Sequence, residues 1–176
     1  PIKSSAASDV YKRQAVIGGC VGTSNVLAGE MFDVPVMGTH AHSWIMTFKD
    51  EYTAFKEYAR LYPDACTLLV DTYDTLKSGV PNAIRVFTEM REAGIKPKSY
   101  GIRLDSGDLA YLSKKARKML DDAGFQDAVI AASNDLDEFL IHDLKMQGAA
   151  ISSWGVGTNL ITSKDLSLIH ISEPTR

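Results

Sequence analysis

Short apolar runs alternate along this chain with longer stretches in which apolar residues recur every three or four positions. The runs read as buried strands and the stretches as amphipathic helices. Gly22-Thr23-Ser24-Asn25 supplies cap residues for a short helix, VLAGEMF, and Asp33–Met37 turns into a strand that ends at Gly38-Thr39. From His42 to about Tyr62, residues Trp44, Ile45, Phe48, Tyr52, Phe55, Tyr58 and Leu61 predict one helix, stopped by Pro63. Residues 66–70 form an apolar strand ending at Asp71. Helices are predicted over Val80–Ala93 and Leu109–Ala123, closed by Gly94 and Gly124, with the strand Tyr100–Leu104 between them. Ala128–Ala132 is a further strand, Leu136–Met146 a helix, and Ala150–Ser153 a last strand before GVGTNL.

The five strand starts, near residues 35, 66, 99, 128 and 150, recur at the interval of βαβ units. Such units imply a parallel sheet with right-handed crossovers. Five strands are too few to close an eight-stranded barrel, so the expected fold is α/β, part of an irregular (βα) barrel in a fragment of a larger protein. A flat, doubly wound sheet is the structural alternative. Residues 1–14 and 167–176 carry no matching periodicity and resemble translated sequencing-adapter read-through, so they are expected to be non-native tails flanking a partial barrel domain at 15–166.

Composition narrows the partners. The 176 residues are 45% hydrophobic and 23% charged with a formal net charge of −3, which argues against nucleic acid or a membrane surface as partner. No apolar run reaches the length of a membrane span, and a cytoplasmic location is expected. Cys20 and Cys66, distant in sequence, read as thiols without zinc spacing.

The chemistry collects at the predicted strand ends: Gly38–Ser43, Asp71–Asp74, Asp105–Asp108, Ser133–Asp135 and Gly155–Thr158. In an α/β protein this is the edge whose loops meet over the site. Any one loop reads equally well as helix caps and tight turns. Together they supply a nucleophile, hard carboxylates and a phosphate cradle. Asp71, Asp74, Asp105 and Asp108 suit Mg²⁺ or ribose hydroxyls, and a negative lining would stabilise a sugar cation. Arg103 would pair with Asp105 or hold an anion. His40 and His42, two apart, lack the spacing of a metal pair on a helix; either would serve as base or nucleophile, whereas His142 reads as a surface histidine.

Six segments in order, GGCVGTSNVLAG (18–29), GTHAHSW (38–44), LLVDTYDTL (68–76), GIRLDSGDL (101–109), ASNDLDE (132–138) and GVGTNLITS (155–163), resemble successive motifs of the nicotinate phosphoribosyltransferase family. The resemblance implies an irregular α/β barrel of the type II phosphoribosyltransferase class beside a mostly β domain, and a homodimer. It implies an enzyme of NAD biosynthesis that makes nicotinate mononucleotide and pyrophosphate from nicotinate and phosphoribosyl pyrophosphate, with ATP as co-substrate and Mg²⁺.

His42 matches the histidine that becomes phosphorylated, so His42, Asp71 and Asp105 are the expected catalytic residues. Ser43, Arg103, Asp108, Asn134, Gly155, Gly157 and Thr158 are the expected substrate contacts, and Asp105 with Asp108 the expected metal ligands. Cys20-Val21 departs from the family pattern. The family's N-terminal and C-terminal portions fall outside this sequence, so the fragment alone is expected to be inactive. The competing readings are nicotinamide phosphoribosyltransferase, a Mg²⁺-dependent barrel lyase and a non-catalytic barrel fragment.

Overall fold

A computed structural model describes residues 15–161. The chain divides into two compact units, one of residues 1–38 and 156–176 and the other of Thr39–Gly155.

In the first unit, helix α1 (Val26–Phe32) begins where the Asn25 side chain accepts the Ala28 amide, and ends at Asp33 in the left-handed conformation. The strand expected over Asp33–Met37 does not form. Pro35 has no N–H to give a ladder, and the pairing is a single parallel bridge, Thr23 to Val36, made by Thr23 N to Pro35 O and Met37 N to Thr23 O. The calls on residues 1–14 and 167–176 lie outside the described residues.

The second unit holds a four-stranded parallel sheet: β1 (Ala65–Leu69), β2 (Ser99–Leu104), β3 (Val129–Ala132) and β4 (Ser153–Trp154), in that spatial order. A doubly wound sheet reverses its order at a switch point. This sheet runs in sequence order throughout, as a barrel wall does. The helix predicted as one over 42–62 is two: α2 (His42–Met46) and α3 (Glu51–Leu61). Asp50 accepts the Thr53 amide and caps a new helix, while the Thr47 hydroxyl donates back to the Trp44 carbonyl. The Trp44 indole then donates to Ala54 O, tying α2 to α3.

A π-helical turn, Thr75–Gly79, which the sequence pattern does not signal, leads into α4 (Val80–Glu92). Helices α5 (Leu109–Asp122) and α6 (Glu138–Met146) complete the crossovers. The last strand starts later than expected over 150–153. Gly148 turns with positive φ, and the Ala150 amide goes to the Ser113 hydroxyl on α5, so pairing is delayed to Ser153. Phe55, Leu68, Val70, Val80, Val86, Ile102, Leu104, Leu120 and Ile130 are fully enclosed between helices and sheet. At Gly101 the close approach of β3 leaves no room for a side chain, since a methyl there would overlap the Val129 carbonyl.

Register decides where the loops begin. Leu69 pairs with Arg103, Arg103 with Ala131, and Ala131 with Ser153. Two residues beyond that row stand Asp71, Asp105, Ser133 and Gly155, all at the carboxyl edge of the sheet.

Candidate active site

His42 opens α2, with its side chain about a third exposed. Its Nδ1 lies 3.0 Å from the Thr72 hydroxyl. On the other side of the ring Nε2 faces two carboxylates, Asp105 Oδ2 at 3.6 Å and Asp71 Oδ1 at 3.9 Å. The two histidines that local spacing leaves equivalent are distinct, and the one matched by the family motif is the one that faces the carboxylates. His40 is buried, stacks edge-on against Tyr58, and accepts the Leu69 amide on Nε2. Burial lowers its pKa to about 4, so it is a neutral structural acceptor that ties the Thr39–His42 segment to β1. His142 is exposed on α6, as expected.

Asp71 is almost wholly buried. Its Oδ2 accepts from the Asp105 amide and the Ser106 hydroxyl, both at 2.7 Å, while Oδ1 has no hydrogen-bond partner among the described residues and is turned toward His42. Arg103 makes the expected pair with Asp105. Its guanidinium donates to Asp105 Oδ1 at 3.0 Å, to Ser133 Oγ at 2.7 Å and to Thr39 Oγ1 at 2.8 Å. Ser133 in turn donates to Asp105 Oδ1. Burial of Asp105 favours its neutral form, but the Ser133 bond and the Arg103 charge outweigh it and hold its carboxyl below the ordinary range.

The structure thus brings His42, Asp71, Arg103 and Asp105 together and adds Thr39, Thr72, Ser106 and Ser133. Sequence reading placed these four in the right loops without assigning them a role. Ser43 is exposed beside His42. Asp108 caps α5, its Oδ1 accepting the Tyr111 amide. Asn134 and Asp135 follow β3 with φ of 90° and 45°, a left-handed pair that concentrates strain at this edge. Gly155 closes the row, its amide donating to Ala132 O. Gly157 and Thr158 belong to the other unit, where Thr158 opens a short helix, Thr158–Ile161.

Among the described residues no three His, Cys, Asp or Glu side chains form a ready metal cage. Mg²⁺ commonly takes one or two carboxylates and completes its shell with water and substrate phosphate. The unpartnered Asp71 Oδ1 and the Asp105 Oδ2 facing it across His42 Nε2 are hard oxygens of that kind, so the residues present fit the ion.

A model of the nicotinate phosphoribosyltransferase (NAPRTase) family matches residues 2–168. The chain is 63% identical over 153 residues to a nicotinate phosphoribosyltransferase of Bacillus subtilis (strain 168), covering 87% of this chain and 30% of the relative. To the protein of the same name from Dictyostelium discoideum it is 40% identical, covering 85% of this chain and 33% of that one. The crystal structure of human nicotinic acid phosphoribosyltransferase superposes with a TM-score of 0.75 at 28% identity, over 83% of this chain and 39% of the other. The chain spans about a third of the length of the curated relatives it matches. The family model matches nearly the whole chain and the fold superposes on a solved member, and the chain belongs to the nicotinate phosphoribosyltransferase family.

Proposed function

We propose that this chain carries the catalytic edge of an enzyme that joins nicotinate to phosphoribosyl pyrophosphate, giving nicotinate mononucleotide and pyrophosphate, with ATP hydrolysed through a phosphohistidine at His42. The reaction belongs to NAD biosynthesis, and the working form is a cytoplasmic homodimer. The observation that carries this reading is the His42 ring, braced by Thr72 at Nδ1 and facing Asp71 and Asp105 at Nε2.

With Nδ1–H donating to Thr72, the Nε2 lone pair is free to attack the γ-phosphorus of ATP, and the bond to the ADP oxygen breaks. Bound Mg²⁺ would neutralise phosphate oxygens beside Asp71 and Asp105. In phosphoribosyl transfer the pyridine nitrogen of nicotinate forms the new bond to the sugar's anomeric carbon as pyrophosphate leaves. The same two carboxylates stabilise the positive charge that develops on the sugar. Arg103 and Ser133 keep Asp105 ionised and oriented for that role. Ser43, Arg103, Asp108, Asn134 and Gly155 are proposed as substrate contacts, with the phosphate held by backbone amides past the last strands. Water releases the phosphoryl group from His42 and completes the cycle.

The test uses a chimaera in which residues 15–161 replace the matching stretch of the Bacillus subtilis relative. Incubation with Mg²⁺ and γ-labelled ATP should give acid-labile, base-stable label that vanishes in His42→Ala, and product analysis then distinguishes nicotinate from nicotinamide as acceptor. A folded chimaera that takes up no label, or a His42→Ala variant with full activity, would overturn the assignment and favour a carboxylate-centred metal lyase.

A further inference from the structure

Glu51 is a carboxylate buried without a cation. It is the first residue of α3 after the Asp50 cap, a position where an acidic side chain ordinarily reaches solvent beside the helix dipole. Yet Glu51 is only 3% exposed. Its Oε2 accepts from the Ser78 hydroxyl at 2.5 Å and the Asn82 amide at 3.2 Å, and Asn82 also donates to Ser78. Oε1 has no hydrogen-bond partner, and among the described residues no Lys or Arg pairs with Glu51. Burying such a group without a cation is costly, so the arrangement calls for a reason. Burial pushes its carboxyl above the ordinary range, against the pull of its two hydrogen bonds, and the charge of Asp71 pushes the same way.

The partners of Glu51 supply the reason. Ser78 lies in the π-turn Thr75–Gly79, a form found in single turns and often at functional sites. Asp74 builds that turn: its side chain accepts the Leu76 and Lys77 amides, and its carbonyl accepts those of Ser78 and Gly79. Gly79 lies flat against the end of β1, where any side chain would overlap the Val70 carbonyl. The turn is therefore wedged between α3, through Glu51, and the strand end, through Gly79. Val70 is itself fixed by the hydrogen bond its N–H donates to the Arg103 carbonyl. Asp71–Asp74, the segment strung between these two anchors, carries both Asp71 and Thr72.

We propose that Glu51, with Ser78 and Asn82, is a positioning residue for the reaction: it locks the π-turn, and the locked turn holds the Thr72 hydroxyl and Asp71 carboxylate against the His42 ring. The kinetic consequence rests on His42 as nucleophile. The geometric one does not.

In the chimaera, Glu51→Gln keeps an oxygen acceptor for Ser78 and Asn82 and should phosphorylate His42 at close to the parental rate. Glu51→Ala should lower kcat for labelling about 10- to 100-fold, the cost of a misplaced reacting group, with KM for ATP little changed. Ser78→Ala, a milder cut to the same bracket, should fall between and serves if Glu51→Ala does not fold. Independently of activity, the long-range ¹H–¹⁵N spectrum of ¹⁵N-histidine-labelled protein reports the His42 tautomer and the bond at Nδ1. That signal should change in Glu51→Ala and Ser78→Ala and stay parental in Glu51→Gln.

Folded alanine variants with an unaltered His42 signal would overturn the proposal, as would a rate loss matching only the unfolded fraction. If the parent chimaera takes up no label, the catalytic reading falls, and the imidazole spectrum still decides the role of Glu51.

Discussion

The hydroxyl of Thr72 lies 3.0 Å from Nδ1 of His42, so the loop after β1 selects which face of the imidazole is turned to the carboxylates. Thr72→Val keeps the side chain's shape and removes the bond. Labelling of His42 from ATP should slow about 10- to 100-fold, the range for losing a partner that orients a histidine ring, while Thr72→Ser restores it. Single-turnover labelling checks both.

His40 predicts a pH dependence of stability. Its folded pKa of about 4 lies below the ordinary 6.5, so the unfolded chain takes up the proton first. The contribution of neutral His40 is complete above pH 6.5, declines as pH falls, and levels off near pH 4 at a loss of about 3 kcal/mol. His40→Phe should be less stable at neutral pH, because the Leu69 amide loses its acceptor, and should show a flatter decline on acidification. Thermal unfolding midpoints measured across that range give the comparison.

Ser133 and Arg103 together keep Asp105 ionised below the usual carboxylate range. A depressed carboxyl pKa favours the folded, charged form at neutral pH, and the advantage is lost as pH falls through that lowered value. Ser133→Ala should therefore move the acid limb of phosphoribosyl transfer to higher pH. Its activity at the alkaline side should change little, which a kcat/KM pH profile would register.

A methyl at residue 101 would overlap the Val129 carbonyl across the β2–β3 pairing. Gly101→Ala should destabilise the sheet by about 3 kcal/mol, a backbone clash that no rotamer relieves. Its thermal midpoint should drop well below that of Gly94→Ala, where nothing stands within reach of a methyl and only the positive φ is strained.

The order of strands and helices from residue 42 onward was legible because strands covered on both faces are mainly apolar and Gly94 and Gly124 mark helix ends. Within the site, the carboxylates and His42 were legible as residues of the right kind at strand ends. The family motif singles out His42; the physical difference between it and His40, burial of the latter against Tyr58, is a tertiary fact that two histidines in one loop do not reveal. Thr39, Thr72 and Ser133 act through bonds made to partners 28 to 64 positions away, beyond any local pattern. Glu51 left one faint signal, its place on the same helical stripe as Phe55 and Tyr58. The break in the predicted 42–62 helix was hidden because Asp50 also fits a solvent-facing helical position.

Asp71, Asp105, Ser133 and Gly155 each hang the same short distance past a paired row of the sheet. Their spacing along the sheet is set by the ladder beneath them, and at Asp71 the turn that follows adds a second anchor. Such an edge separates inheritance from novelty: the carboxylates travel with the strands, and only loop positions that touch neither His42 nor its brace remain free to lengthen, shorten or exchange residues as substrates change.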